Sequence, residues 1–304
     1  MAFAQRALGA LVLALLASLP AYAAVPPPLP AVSATYDVGS LHVQQFGTGA
    51  QAVIFIPGLT CGPWEWSGEI ARLSSKYTVY ALTLPGFDGQ PSVAAPLFPR
   101  VTADFWTLLD QKHIVKPFVI GHSLGGTTGF VLATQHPERL RGVIALDGLP
   151  IYPTDIFSTP DKIAAMADAA AAKMAAVPQA DFAAYEQSTL PYLVTAPSDV
   201  AAIARLSGKS DPKAAAQWFK EDLELDARPD LIKANVPIVL LAPYDATLEG
   251  KYLPTADAKK AFYAGIIKNA PQASVVVIPN SRHFAMYDQP KATSDAIDAF
   301  LAAH

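Results

Sequence analysis

A chain of 304 residues, 52% of them apolar, is long enough for one large α/β domain or two small ones with a substantial core. Its net charge of −4, with no basic runs, gives no electrostatic reason to expect a nucleic-acid partner. A single cysteine, Cys61, excludes an internal disulfide and reads as a small buried apolar residue.

Within residues 1–23, Arg6 is the only charge, Ala7 to Leu19 is apolar, and Ala21-Tyr22-Ala23 has the form of an A-x-A cleavage site. That is the pattern of a secretory signal peptide. The apolar run is short for a membrane span and has no cysteine to carry a lipid, so the expectation is an exported protein, periplasmic or secreted, with no stable membrane anchor. It would begin near Ala24. Residues 24–33, AVPPPLPAVS, read as an extended Pro-rich linker.

The first part of the folded core is expected over 34–149. Thr35 to Ser40 and His42 to Phe46 read as two strands joined by a tight turn. Ala52 to Ile56, AVIFI, lacks polar alternation and suits a strand buried on both faces. It runs into Pro57-Gly58-Leu59-Thr60-Cys61-Gly62, a turn that permits close backbone approach. Trp64 and Trp66 follow, placed either to line an acyl pocket or to anchor the next helix, 67–75, onto the sheet. The strand Tyr77 to Leu82 leads into Pro85-Gly86-Phe87-Asp88-Gly89 at the carboxyl edge, where open α/β sheets bind ligands. Trp64, Phe87 and, later, Phe284 are candidate substrate contacts. Residues 101–113 read as an amphipathic helix through Val101, Phe105, Leu108 and Leu109.

At Val115 to Ile120 another apolar run ends in Gly121-His122-Ser123-Leu124-Gly125, after which Leu124, Thr128, Val131, Leu132 and Gln135 recur at helical spacing. A strand, a sharp turn and a helix therefore meet at Ser123. This is the form of a nucleophile elbow, in which a serine hydroxyl stands clear of a strained backbone turn. The N–H of Leu124 would be one donor of an oxyanion hole, and Leu59, on the earlier strand-to-helix loop, is the candidate for the other. Gly142 to Leu146 is a further buried strand, ending at Asp147.

Residues 150–235 change character: rich in alanine, interrupted by prolines, with Ile163, Met166, Ala170, Met174 and Val177 at helical spacing. Three or four helices are expected, with that stripe packed in a core, forming a helical lid over the active edge. The second part of the core, 236–304, holds the strand Val236 to Leu241 leading to Asp245, the strand Ser274 to Ile278 leading to His283, and a closing helix over 291–302.

The order Ser123, Asp245, His283, each just past a buried strand, resembles the α/β-hydrolase superfamily, and its lid-bearing esterase-like members in particular. IPG after the third strand, LPGFDG after the fourth, GHSLGG at the elbow and HFAMYDQP around the histidine carry the resemblance. It implies an α/β fold with a mostly parallel eight-stranded sheet, helices on both faces and an inserted helical lid. Two features depart from the common pattern: Arg282 stands where glycine usually precedes the histidine, and the turn before Asp245 is one residue short. Asp147 is therefore kept as the alternative acid.

The expected chemistry is attack by Ser123 on an ester carbonyl, with His283 as base, Asp245 orienting it and an acyl-enzyme intermediate. The substrate would be a small or medium, mainly apolar ester, and no cofactor or metal is called for. Other readings on the same residues are a lactonase, a proline-releasing aminopeptidase, a carbon–carbon bond hydrolase or a cofactor-free haloperoxidase. A ligand sensor without turnover is the reading from a different class.

Overall fold

The runs without polar alternation become the buried middle of a single eight-stranded sheet. The computed structural model describes residues 26–304, so the expected signal peptide lies outside them. The strands are β1 Ala34–Val38, β2 Leu41–Phe46, β3 Ala52–Ile56, β4 Thr78–Thr83, β5 Phe118–His122, β6 Gly142–Leu146, β7 Ile238–Tyr244 and β8 Ala273–Pro279. In space they run β1-β2-β4-β3-β5-β6-β7-β8. β2 is antiparallel to both its neighbours, and every other pairing is parallel.

All residues of β3, β5, β6 and β7 are buried, because helices cover both faces. Alternate residues feed two separate cores: Ile54, Val119 and Val143 point to one, and Phe55, Ile120 and Ile144 to the other. The helices are α1 Ser67–Leu73, α2 Leu97–Gln111, α3 Leu124–Gln135, α4 Pro160–Ala175, α5 Phe182–Thr189, α6 Pro197–Ser207, α7 Pro212–Glu224, α8 Ala246–Glu249, α9 Ala256–Ile266, α10 Ala285–Asp288 and α11 Pro290–Ala303.

The strand order places the site. After β3 the chain turns toward β4 on one side, whereas after β5 it turns toward β6 on the other. The carboxyl ends of these adjacent parallel strands are therefore left with a crevice between their diverging connections, where such sheets bind ligands. Gly58 and Leu59 follow β3, and Ser123 follows β5.

Helices α4 to α7 form an insertion between β6 and β7. It is fastened by polar bonds as well as apolar contact. Trp218, fully buried on α7, donates to the carbonyl of Pro85 at 3.1 Å, and Ser210 Oγ donates to the carbonyl of Thr60 at 2.8 Å. Glu221 of α7 accepts from the Leu97 and Phe98 N–H groups at 2.8 to 3.0 Å. A carboxylate there satisfies the otherwise unpaired first turn of α2 and opposes the positive end of its dipole. The expected stripe on α4 is rotated: Met174 and Ala167 are buried, but Met166 is exposed. α4 packs mainly along α7, so only the side facing that helix is covered.

Candidate active site

Ser123 is the hinge between β5 and α3, with φ 51° and ψ −121°, a backbone conformation that a side-chain-bearing residue adopts only under constraint. The constraint comes from both sides. Ser123 N–H donates to Leu146 of β6 at 2.9 Å, and its carbonyl accepts from Thr127 of α3 at 2.9 Å. A Cβ on Gly121 would sit 2.1 Å from the carbonyl oxygen of Gly125, and one on Gly125 would sit 2.2 Å from that of Ile56. Both obstacles are backbone, so helix and strand would have to part. Gly121→Ala and Gly125→Ala are expected to lower stability in urea unfolding by about 1–3 kcal/mol or more, whereas Gly265→Ala, exposed and meeting nothing on α9, should be neutral or stabilising by up to about 1 kcal/mol. Equal effects at the three positions would mean that the elbow is not closely packed.

His283 follows β8 and lines the same cavity as Ser123. Its Nδ1 meets Asp147 Oδ2 at 2.6 Å. The other Asp147 oxygen accepts from the Tyr263 hydroxyl at 2.8 Å. Burial pushes the Asp147 carboxyl up, but His283, nearby Lys259 and the Tyr263 hydroxyl outweigh it and hold the group down at about 2. Asp147 is thus a permanent anion at the cavity wall. Burial lowers His283, helped by the adjacent His122 ring and opposed by Asp147, and the net result is below the ordinary imidazole value.

The acid that meets the imidazole is therefore Asp147, and the expectation for Asp245 is corrected. Asp245 caps α8, accepting from Thr247 N–H at 2.8 Å and the Thr247 hydroxyl at 2.6 Å, while its second oxygen takes Arg282 Nε at 2.8 Å. The residue that departs from the common pattern beside His283 is the one that occupies Asp245. Arg282 also donates to the carbonyl of Pro191, Asp288 accepts from Thr195, and Phe284 N–H donates to Leu193 at 2.9 Å. These bonds join residues 191–195 of the insertion to the loop that carries His283.

Beneath the site lies a second acid and imidazole pair that sequence patterns did not single out. Glu65, in a short 3-10 turn at Pro63–Trp66, has a fully buried side chain. One of its oxygens meets His122 Nδ1 at 2.7 Å and the other accepts from Gly58 N–H at 2.9 Å. His122 Nε2 faces the carbonyl of His283 at 3.0 Å. A carbonyl can only accept, so Nε2 must carry a proton, and the contact between Nδ1 and Glu65 needs one more. The pair thus links the loop after β3 to the loop after β8. A carboxylic acid amid the aromatic residues of GPWEW was the available signal.

Leu59 lines the cavity, next to the anchored Gly58. Leu124 opens α3, so its N–H has no acceptor within the helix and points with the dipole toward the serine end. Of the three aromatic candidates, Phe284 lines the cavity and two do not. Trp64 is turned into the core by the 3-10 turn, and Phe87 is fully buried with its ring 6.1 Å from that of Trp218. Both sit on loops at the carboxyl edge, yet each side chain gains more by burial than by standing in a water-filled pocket. Cys61 is buried, and burial with Glu65 beside it pushes its thiol well up.

The cavity measures about 460 Å³ and lies between the sheet edge and the insertion. Its walls are mainly apolar, with Leu149, Ile151, Met174 and Phe219 among them. Among the described residues, no group of three or more His, Cys, Asp or Glu is gathered to hold a metal ion, and no helix is long and apolar enough to cross a membrane.

The sheet order, the strained serine between β5 and α3 and the cavity at their carboxyl edge define an α/β-hydrolase architecture, and the sequence model of the alpha/beta hydrolase family matches residues 53–296. The chain belongs to that family. It is 24% identical over 273 residues to 3-oxoadipate enol-lactonase 2 of Acinetobacter baylyi, a match covering 86% of this chain and 93% of that one. It is 31% identical over 116 residues to the pimeloyl-[acyl-carrier protein] methyl ester esterase of Aeromonas hydrophila, but that match covers only 37% of this chain and 43% of the esterase. Among solved structures, a thermophilic esterase from Thermogutta terrifontis superposes with a TM-score of 0.71 over 89% of this chain and 99% of that one, at 19% identity. The relatives named here are hydrolases.

Proposed function

We propose that the protein is a serine hydrolase that cleaves a carboxylic ester of small or medium size through an acyl-enzyme, with Ser123, His283 and Asp147 as its triad. The observation that carries this reading is the 2.6 Å bond between His283 Nδ1 and Asp147, made at the wall of the cavity onto which the strained Ser123 opens. Held by that acceptor, the imidazole has its proton on Nδ1 and leaves Nε2 free to take the hydroxyl proton of Ser123. Attack on the carbonyl makes a tetrahedral oxyanion, received by the N–H groups of Leu59 and Leu124. Collapse expels the alcohol with the proton from Nε2. Water then repeats the sequence and frees the acid. The insertion acts as a lid that keeps bulk water from the cavity.

A cyclic ester is the second reading, favoured by the nearly full-length likeness to an enol-lactonase. Ring opening uses the same steps, with the alcohol remaining attached to the acyl group. Covalent labelling by a fluorophosphonate tests the common core: wild type should label, and Ser123→Ala should not. Equal labelling of the two, or none of wild type, ends the serine-hydrolase reading. p-Nitrophenyl esters of graded chain length, with lactones alongside, then separate the two readings.

The lowered His283 gives a pH expectation. The base must be neutral, so a lowered value keeps it competent further into acid. The acid limb of kcat/KM should therefore be centred below the ordinary imidazole value of about 6.5. A fall already complete by pH 7 would argue that another group limits the reaction.

A further inference from the structure

Two carboxylates of the insertion stand in the Ser123 cavity and are not used by the chemistry above. Glu186 comes from α5 and Asp222 from α7, and both line the cavity. Among the described residues, no lysine or arginine lines it. Glu186 accepts from the Thr60 hydroxyl at 3.0 Å, but that hydroxyl also faces the carbonyl of Leu59 at 2.6 Å, so its one proton is shared. Asp222 lies by Thr127, whose hydroxyl already donates to Leu149 at 3.0 Å. Among the described residues, neither acid has a cationic partner.

The consequence is visible in their acidity. Burial raises Glu186, against weaker opposition from Thr60 and Ser207. It raises Asp222 further, to about 7, where Thr127 opposes it and Asp155 adds to it. Asp155 is itself buried, with one oxygen that has no hydrogen-bond partner among the described residues. An acid held in an apolar cavity without a counter-charge is costly to ionise, and a bound cation would remove that cost.

The same walls are aromatic. Tyr152 and Phe219 meet edge to face at 5.9 Å, and Tyr185 stands beside Glu186 in sequence and in the lining. Aromatic faces next to unpaired carboxylates suit an organic ammonium, which gains from ring faces as well as from charge. A divalent metal is less well served, since no third ligand of the usual kinds joins the pair among the described residues.

We propose that Asp222 and Glu186, one on each of two helices of the insertion, give the wall of the Ser123 cavity an anionic character that selects substrates bearing an ammonium group, so that the preferred ester or lactone carries a basic amine on its otherwise apolar body. This rests on the serine-hydrolase reading for its chemistry, but not for its binding. The acids come from two helices of the insertion, Glu186 bonded to Thr60 and Asp222 lying by Thr127, and neither is among the groups assigned to the reacting carbonyl.

The test uses three probes of matched length, hexylammonium, hexanol and hexanoate, with the full chain. Each is measured as an inhibitor of p-nitrophenyl butyrate hydrolysis and, independently of turnover, by thermal shift on wild type and Ser123→Ala. Hexylammonium should bind about tenfold or more tightly than hexanol, with hexanoate weakest. In Asp222→Asn or Glu186→Gln the ratio of ammonium to alcohol binding should fall toward one. The ratio is read because a general loss of activity or stability cancels from it. Equal binding of hexylammonium and hexanol by wild type overturns the proposal, as does a preference that persists in both variants. If no ester is hydrolysed and no fluorophosphonate reacts, the hydrolase reading fails, and the thermal-shift ranking still decides whether the acids select a cation.

Discussion

Asp147→Asn is expected to lower kcat by about 10⁴-fold while leaving the fold in place. Tyr263 donates to one Asp147 oxygen at 2.8 Å, so an asparagine there keeps its carbonyl toward the tyrosine and turns its NH₂ toward His283. A donor now faces Nδ1, which must accept. The ring proton moves to Nε2, the nitrogen that has to take the proton from Ser123, and the base is in the wrong tautomer. Asp245→Asn should behave differently, costing no more than about tenfold, because its cap on α8 survives in the amide and only a charge pair with Arg282 is lost. Steady-state rates on one p-nitrophenyl ester decide between them. If Asp245→Asn is the more damaging, the acid role returns to Asp245, and the loop after β7 must rearrange to reach the imidazole.

The second large effect falls on stability. Glu65→Leu would leave His122 Nδ1 and the Gly58 N–H buried without partners in a site where the carboxylate side chain is wholly inaccessible. Leaving buried polar groups without partners typically costs about 1–3 kcal/mol each, and two are orphaned here, a large share of the roughly 5–15 kcal/mol that holds a domain together. Glu65→Gln should be much milder: its NH₂ can donate to Nδ1 while its oxygen still accepts from Gly58, with Nε2 of His122 remaining protonated toward His283. Urea unfolding of both variants gives the comparison. A Glu65→Leu protein as stable as wild type would mean that the pair does not tie the two loops together.

Much of the fold was legible because its signals are local. The buried strands betray themselves by the absence of alternation, and Ser123 by glycines that a side chain would drive into backbone at 2.1 and 2.2 Å. The acid was not local. Asp147 and Asp245 both end parallel strands, and these strands are neighbours, so position along the chain offers each the same claim. What separates them is direction: Asp147 turns at φ 45°, and Asp245 is drawn to Arg282. The arginine was visible as a departure beside His283, but its consequence was not.

Helix α9 escaped notice for a related reason. Its buried positions are Lys259, Tyr263 and Ile266, so a charged residue stands where an apolar one would mark the stripe. Lys259 is tolerated there because it pairs with Glu249 and lies over the Tyr263 ring at 4.4 Å. Trp64 and Phe87 misled in the opposite sense, as large aromatics on loops at the right edge whose side chains turn inward. Glu186 and Asp222 lie in a segment whose sequence reads only as helical, and no spacing announces that two acids from different helices share one cavity.

The bonds from Arg282, Phe284 and Asp288 to residues 191–195 form a mechanical linkage. Displacing that stretch would have to break these bonds or carry the loop bearing His283 with it, so entry to the cavity from that side and the placement of the proposed base are expected to be coupled.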